Sequence, residues 1–384
     1  MQRDRFEGLL PAELIPLFDD RYARSCTLFE EYVNRLVLKV VLETGIDAAA
    51  REPGTPAAIA ARAGLDPARI ADVVRWLLVT LTLNGRATRV GDSRFQIPAA
   101  LPDLDPEEET RAQERHDPAA LPSYRMAAAV AGLYPGVLRG TESGEAALFA
   151  PDRIGAWFDY FSNDNVIYAI SNRLGAIAAE QALAEGGGAI LELGGGLGSG
   201  AAALLERLAG TGRLGTVPSY RLTEIAPSFL RRAQRRLAGR FPAVPLLYGR
   251  LDMDRPFAEA GIEEGACALV YAVNTLHVAR DLEFTLGEIR RALAPGGAIV
   301  LSECLRPFGD RPIYIEFLFN LLEAFRAHRP ADPWRPDGGF LTPERWVTVL
   351  AAGGFRDARV YPDIARIREV CPAFVVGAIT AVRA

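Results

Sequence analysis

Residues 189–200 read AILELGGGLGSG, an apolar run that ends in an acid and then places five glycines in seven residues. No other stretch constrains the fold as tightly, because it forces a strand to turn at once into a helix. Glycines there admit positive φ and let backbone N–H groups approach a ligand, and the Ala-rich run 201–209 supplies a helix whose N-terminus faces that ligand. Gly196-x-Gly198-x-x-Ala201 also fits the G-x-G-x-x-A form of a dinucleotide fingerprint, a short pattern that does not name the cofactor by itself. Glu192 tilts the choice. An acid two residues before the first glycine, Gly194, can accept hydrogen bonds from a cationic amino-acid group, which S-adenosylmethionine has and NAD lacks.

The chain has 384 residues, 49% of them hydrophobic, enough for a large core and for two or three domains. A net charge of −5 argues against a nucleic-acid footprint. No apolar run approaches the ~20 residues that span a bilayer. The N-terminus lacks a signal-peptide pattern, and Cys26, Cys267, Cys304 and Cys371 form neither C-x-x-C pairs nor a disulfide framework. A cytoplasmic protein without membrane or nucleic-acid partners is expected. The three histidines, His116, His277 and His328, lie far apart and no cysteine cluster joins them, so no metal site is expected.

Three regions are expected along the chain. Residues 1–100 carry apolar residues at helical spacing over 28–49, then a helix, a stop at Gly64, and a second helix capped by Asp66 with Pro67 at its first position. Two short strands around Gly91 and Asp92 complete a winged helix-turn-helix pattern. Seven arginines against four acids in 51–100 are a mild excess, and with an acidic chain overall the module is read as a dimerisation device rather than a DNA reader. Residues 101–186 begin as a surface loop rich in Pro, Asp and Glu over 100–125 and continue as helix over 126–185. The mixture of rings and amides over 157–172 suits a wall over a small-molecule pocket, with plain helix packing as the alternative.

From 187 to 384 strands expected at 189–193, 220–224, 244–248, 268–273, 298–303, 359–361 and 373–382 alternate with helices. That implies a mostly parallel sheet, α/β and Rossmann-like, with its chemistry at the carboxyl ends of the strands. Glu224 closes the second strand, where a carboxylate can accept ribose hydroxyls; a surface acid at a helix start is the alternative. Asp252 follows the third strand and is placed near an adenine amino group with Met253 against the ring, although Asx-turn chemistry explains the segment equally well. The fourth and fifth strands end at Asn274–His277 and at Glu303. Neighbouring strands are expected to bring His277 and Glu303 to one rim, where the carboxylate fixes the imidazole tautomer and leaves a general base; a purely structural hydrogen-bonding histidine is the alternative.

Taken together, the run 191–198, Glu224, the Asp252 region and the Leu-x-Pro-Gly-Gly turn at 293–297 resemble the class I S-adenosylmethionine-dependent methyltransferases. The resemblance covers roughly 187–384 and implies a seven-stranded catalytic domain. It assigns Glu192, Gly194, Gly196, Gly198, Glu224, Asp252, Met253 and Asn274 to the cofactor. The front region resembles the winged-helix dimerisation region of small-molecule O-methyltransferases, which implies a homodimer. The run 274–282, the turn 290–297 and Glu303 are similar to the C-methyltransferase domains of polyketide synthases, in which a histidine and a glutamate form the catalytic dyad. By motif position His277 is then the base and Glu303 its partner, and 334–346 resembles the substrate-side insertion of those domains. The chain departs from them at Ala268, where many relatives have aspartate, and in carrying no carrier-protein or synthase domain.

These readings lead to a methyltransferase of specialised metabolism acting on a free or carrier-delivered small molecule, with C-methylation expected first and O-methylation of a phenol or enol second. A non-methylating cofactor-binding protein and an NAD-dependent oxidoreductase are the rivals. Tyr160, Phe161, Asn165, Tyr168, Asn172, Glu316, Phe317 and Asn320 are expected to line the substrate pocket from their helical placement.

Overall fold

Apolar residues at three- and four-residue spacing put one face of α1 (Asp20–Glu43) into a core, with Leu28, Phe29, Tyr32, Val33, Leu36, Val37, Val40 and Val41 all buried. The computed structural model describes residues 6–10, 14–327, 332–336 and 338–384. The chain forms two units, one of Ala23–Tyr160 with Phe308–Arg326, the other of Met1–Tyr22, Phe161–Pro307 and Ala327–Ala384.

The first unit is mainly helical. The helical spacing read over 28–49 belongs to two helices. α1 begins at Asp20 and stops where Gly45 takes φ 72°, after which Ile46–Ala49 form a separate turn of helix. α2 (Pro56–Arg62) and α3 (Pro67–Leu83) stand where expected, each with proline in its first turn, and the Thr55 and Asp66 side chains accept from the Ala58 and Ala68 N–H groups. β1 (Thr88–Val90) and β2 (Arg94–Gln96) pair antiparallel about Gly91.

The stretch 100–125 differs from the expected loop, because Glu107–His116 is a helix. Three acids fill its first turn, where the helix dipole favours them, and Arg35 of α1 reaches Glu108 at 2.6 Å and Glu109 at 2.8 Å. Gln113 of this helix is fully buried, donating to Ser25 Oγ at 3.0 Å and accepting from the Tyr124 hydroxyl at 3.2 Å. α4 (Leu121–Leu138) and α5 (Ile154–Tyr160) complete the helical run. Trp76 on α3 donates its indole N–H to Glu316 Oε2 at 2.7 Å, and Glu316 is 0% exposed. Trp76→Phe removes that donor from a buried carboxylate, so urea titration should show a loss of about 1–3 kcal/mol.

In the second unit, seven strands form one sheet: β3 (Ile190–Leu193), β4 (Tyr220–Thr223), β5 (Leu246–Gly249), β6 (Cys267–Val273), β7 (Leu293–Cys304), β8 (Phe355–Tyr361) and β9 (Val376–Arg383). Their order is β5-β4-β3-β6-β7-β9-β8. β3 to β7 run parallel, and β9 lies antiparallel between β7 and β8. All four residues of β3 are buried, the mark of a central parallel strand covered on both faces. The fifth strand reaches back further than expected. Leu293 pairs with Cys267 and Ala298 with Leu269, so the turn 294–297 becomes an irregularity inside the strand rather than its start.

Helices α6 (Val166–Ala182), α7 (Ser199–Gly210), α8 (Pro227–Leu237), α9 (Leu282–Ala292) and α10 (Pro343–Ala352) alternate with the strands. The strand order reverses between β3 and β6, the switch point at which open α/β sheets bind their ligands.

Candidate active site

The loop that leaves β3 turns three times through the left-handed region, with Gly194 at φ 59°, Gly196 at 51° and Gly198 at 76°. At Gly194 a Cβ would come within 2.4 Å of the Thr275 side chain, so only glycine fits against the end of β6. Around a Cβ at Gly196 the nearest atom would be the Gly194 carbonyl at 4.0 Å, so the loop presents an open backbone cradle there. Glu224, one residue past β4, accepts from the Gly196 N–H at 3.0 Å and the Ala226 N–H at 2.9 Å. Burial raises its carboxyl above the ordinary range, and those N–H bonds oppose the rise. The loop and the expected ribose acid therefore meet in one place.

Glu192 lies at the end of β3 and is 1% exposed. Burial pushes its carboxyl up to about 8, against a hydrogen bond that the Tyr220 hydroxyl donates to Oε2 at 2.9 Å. Asp252 is drawn into an Asx turn, with Oδ1 accepting from the Asp254 N–H at 3.0 Å, which is the alternative the sequence left open for it. The Met253 carbonyl accepts from Thr285 Oγ1 at 3.1 Å.

At the neighbouring strand ends, His277 Nδ1 stands 2.7 Å from Glu303 Oε2, with side chains 4% and 0% exposed. Val273 pairs with Ser302 across β6 and β7, so the register brings the two residues to one level. His277 sits on the 3₁₀ turn Leu276–Val278, and Glu303 Oε1 accepts the N–H groups of Thr275 at 3.0 Å and Leu276 at 2.8 Å. Asn274 allows this bend by taking φ 47°, unusual for a residue other than glycine, and its Oδ1 accepts from the Cys304 N–H at 3.0 Å. Its amide also bonds Tyr168, whose hydroxyl is raised above its ordinary range chiefly by burial. With Nδ1–H donated to a carboxylate, the neutral ring carries its basic lone pair on Nε2.

Residues 191–299 match the family model described as a methyltransferase domain. The chain carries a methyltransferase domain. Its seven-stranded order, with β9 antiparallel between β7 and β8, is that of the class I methyltransferase fold. It is similar to the CurJ carbon methyltransferase structure, with a TM-score of 0.81 at 23% identity over 98% of this chain and 96% of that one. A second similar structure is the trans-methyltransferase CalH in complex with SAH (TM-score 0.61, 20% identity, 93% and 92% covered). At such identities the likeness is one of fold. Among curated relatives, methyltransferase calH of Penicillium decumbens is 36% identical over 166 residues, 43% of each chain. Highly reducing polyketide synthase 2 of Gibberella zeae is 28% identical over 61% of this chain. The chain spans only 9% of that synthase, and 4% and 6% of two others it matches.

The eight residues expected to line a substrate pocket divide between the two units. Phe161, Asn165, Tyr168 and Asn172 belong to the methyltransferase unit: Phe161 and Tyr168 meet edge to face at 5.0 Å, and Asn172 Nδ2 donates to Asn163 Oδ1 at 2.8 Å. Tyr160, Glu316, Phe317 and Asn320 belong to the helical unit. There Phe317 stacks on Tyr134 at 4.7 Å, Tyr160 packs edge-on to Trp157 at 6.0 Å, Asn320 lies beside the Tyr134 hydroxyl, and Glu316 is held by Trp76.

Three participants in the methyltransferase site escaped the sequence reading. Tyr220 holds Glu192, and its place at the start of β4 carried no chemical signal. Thr275 holds Glu303 through its N–H, while its hydroxyl lies 3.0 Å from the Val273 carbonyl and 3.3 Å from the Gly194 carbonyl. Phe340 packs against the His277 ring at 4.3 Å between centroids, from a segment noticed only for its resemblance.

Proposed function

We propose that the chain methylates an acidic carbon of a small metabolite, of the β-carbonyl thioester kind that polyketide assembly produces, with His277 as the base. The observation that carries this reading is the buried His277–Glu303 pair at 2.7 Å, one strand away from the glycine cradle. The backbone of residues 194–198 and the carboxyl groups of Glu192 and Glu224 fit S-adenosylmethionine, being an open cradle flanked by two acids rather than a pyrophosphate site. When bound, that cofactor supplies the electrophilic methyl group that the carbanion takes.

The protein's own part is proton transfer and placement. His277 Nε2 takes the C–H proton of the acceptor, and the electron pair of that bond delocalises into the adjacent carbonyl. The imidazolium formed is stabilised by Glu303, whose Oε1 is kept an acceptor by two backbone N–H groups. Holding acceptor and donor in near-attack geometry supplies about 7–11 kcal/mol, and the positioned base roughly a further 10²–10⁴-fold. The likeness to a carbon methyltransferase of known structure and to polyketide synthases supports carbon as the acceptor.

The test is to incubate the full chain with a β-ketoacyl N-acetylcysteamine thioester and ¹³C-methyl S-adenosylmethionine, and to locate the label by NMR. A C-methyl signal on the α-carbon is expected. An O-methyl signal on the enol would overturn the carbon assignment, and transfer to neither position would reject this substrate class.

A further inference from the structure

A buried cation reaches the catalytic turn from a distant part of the sequence. Arg335 is 3% exposed. Its Nη1 donates to the His277 carbonyl at 2.7 Å and its Nη2 to the Ala279 carbonyl at 2.6 Å. Asp332 holds the other edge of the guanidinium, with Oδ2 accepting from Nε at 2.8 Å and lying 2.7 Å from Nη2. Asp332 is fixed in turn, since its Oδ1 accepts the Trp334 N–H at 2.9 Å, and the Trp334 indole N–H donates to Glu283 Oε1 at 3.0 Å. Arginine suits this place because its planar fork can hold two carbonyls on one side and a carboxylate on the other without losing charge.

The two carbonyls belong to the 3₁₀ turn that carries His277 and to its C-cap, Ala279, at a helix end where such groups lack partners within the helix. A buried ion pair seldom adds much net stability, because desolvation offsets the attraction. What this pair does add is direction. The imidazole is fixed through Nδ1 by Glu303, over its face by Phe340 and through its own backbone carbonyl by Arg335.

We propose that Arg335, locked by Asp332, is a positioning residue that holds the His277 turn so that the imidazole keeps its orientation and its Nδ1 bond to Glu303. This rests on the reading of His277 as the base. An imidazole displaced by as little as 1 Å from its productive place can lose about 10²-fold in rate, which is the scale on which such a clamp acts.

The experiment uses the full chain labelled with ¹⁵N-histidine, in which only three imidazoles contribute and His277→Gln assigns the one that matters. The wild-type ring should show a single neutral form protonated on Nδ1. In Arg335→Gln that signature should give way to a mixture of tautomers, and turnover on the thioester should fall about tenfold or more, with KM and the affinity for S-adenosylhomocysteine unchanged. Arg335→Lys, which keeps the charge but not the fork, should fall between the two and serves as the test if the glutamine variant does not fold. An Arg335 variant that binds S-adenosylhomocysteine normally and leaves the His277 signals as they are in the wild type overturns the proposal. The imidazole spectrum needs no turnover, so it separates this outcome from failure of the base itself, which full turnover in His277→Ala would reveal.

Discussion

Replacing His277 by alanine is expected to lower methyl transfer by roughly 10²–10⁴-fold while S-adenosylhomocysteine binds as before, because the ring serves the acceptor and not the glycine cradle. Glu303→Gln should cause a loss of the same order for a different reason. Its amide keeps an oxygen for the Thr275 and Leu276 N–H groups but presents an N–H to Nδ1, which forces the proton onto Nε2 and leaves no base facing the acceptor. Steady-state rates with the thioester substrate, paired with calorimetry for the cofactor product, measure both variants. Turnover in either variant near the wild-type rate would exclude a general-base role for the pair.

The second large effect is on stability and has a defined pH window. The Glu192 carboxyl is raised by burial from 4.5 to about 8, and the Tyr220 hydroxyl beside it is itself raised well above its ordinary range, so it remains a donor. Between those two values the folded chain keeps a proton that the unfolded chain has released. Its contribution is therefore fully present below about 4.5 and is lost as pH rises through about 8, with a ceiling of about 5 kcal/mol at 1.36 kcal/mol per pKa unit. Glu192→Gln removes the titration and keeps an oxygen for the Tyr220 bond. Calorimetric melting of both proteins should show little difference near pH 4 and a variant several degrees more stable near pH 9. A difference that does not change with pH would mean that Glu192 ionises freely in the folded chain.

The sheet was legible because parallel strands buried on both faces must be apolar throughout, and the runs around 190–193 and 267–273 announce themselves that way. The cradle was legible because its geometry demands glycine, and His277 and Glu303 because both follow adjacent strands in sequence patterns that end at the same rim. Local composition misled where a distant partner decides the outcome. Glu107–His116 looked like a charged loop, and the guanidinium of Arg35, on another helix, is what its first-turn acids meet. The Trp76 indole that holds Glu316 lies 240 residues away in sequence, a partner that local composition does not announce. Tyr220 and Arg335 gave no sign of their roles for the same reason. Each acts on a residue far along the chain, and one sequence records no such pairing.

Thr275 has a consequence for anyone reshaping this site. Its N–H is bound to the Glu303 carboxylate that meets His277, its hydroxyl lies between the carbonyls of Val273 and Gly194, and its methyl fills the space a Cβ at Gly194 would need. The glycine loop and the proposed base thus meet at one anchor of a few atoms. A library aimed at new acceptors can vary the surrounding aromatic residues while holding this position constant. On the proposed mechanism, moving Thr275 would change alkylation geometry and proton abstraction together, as one coordinate.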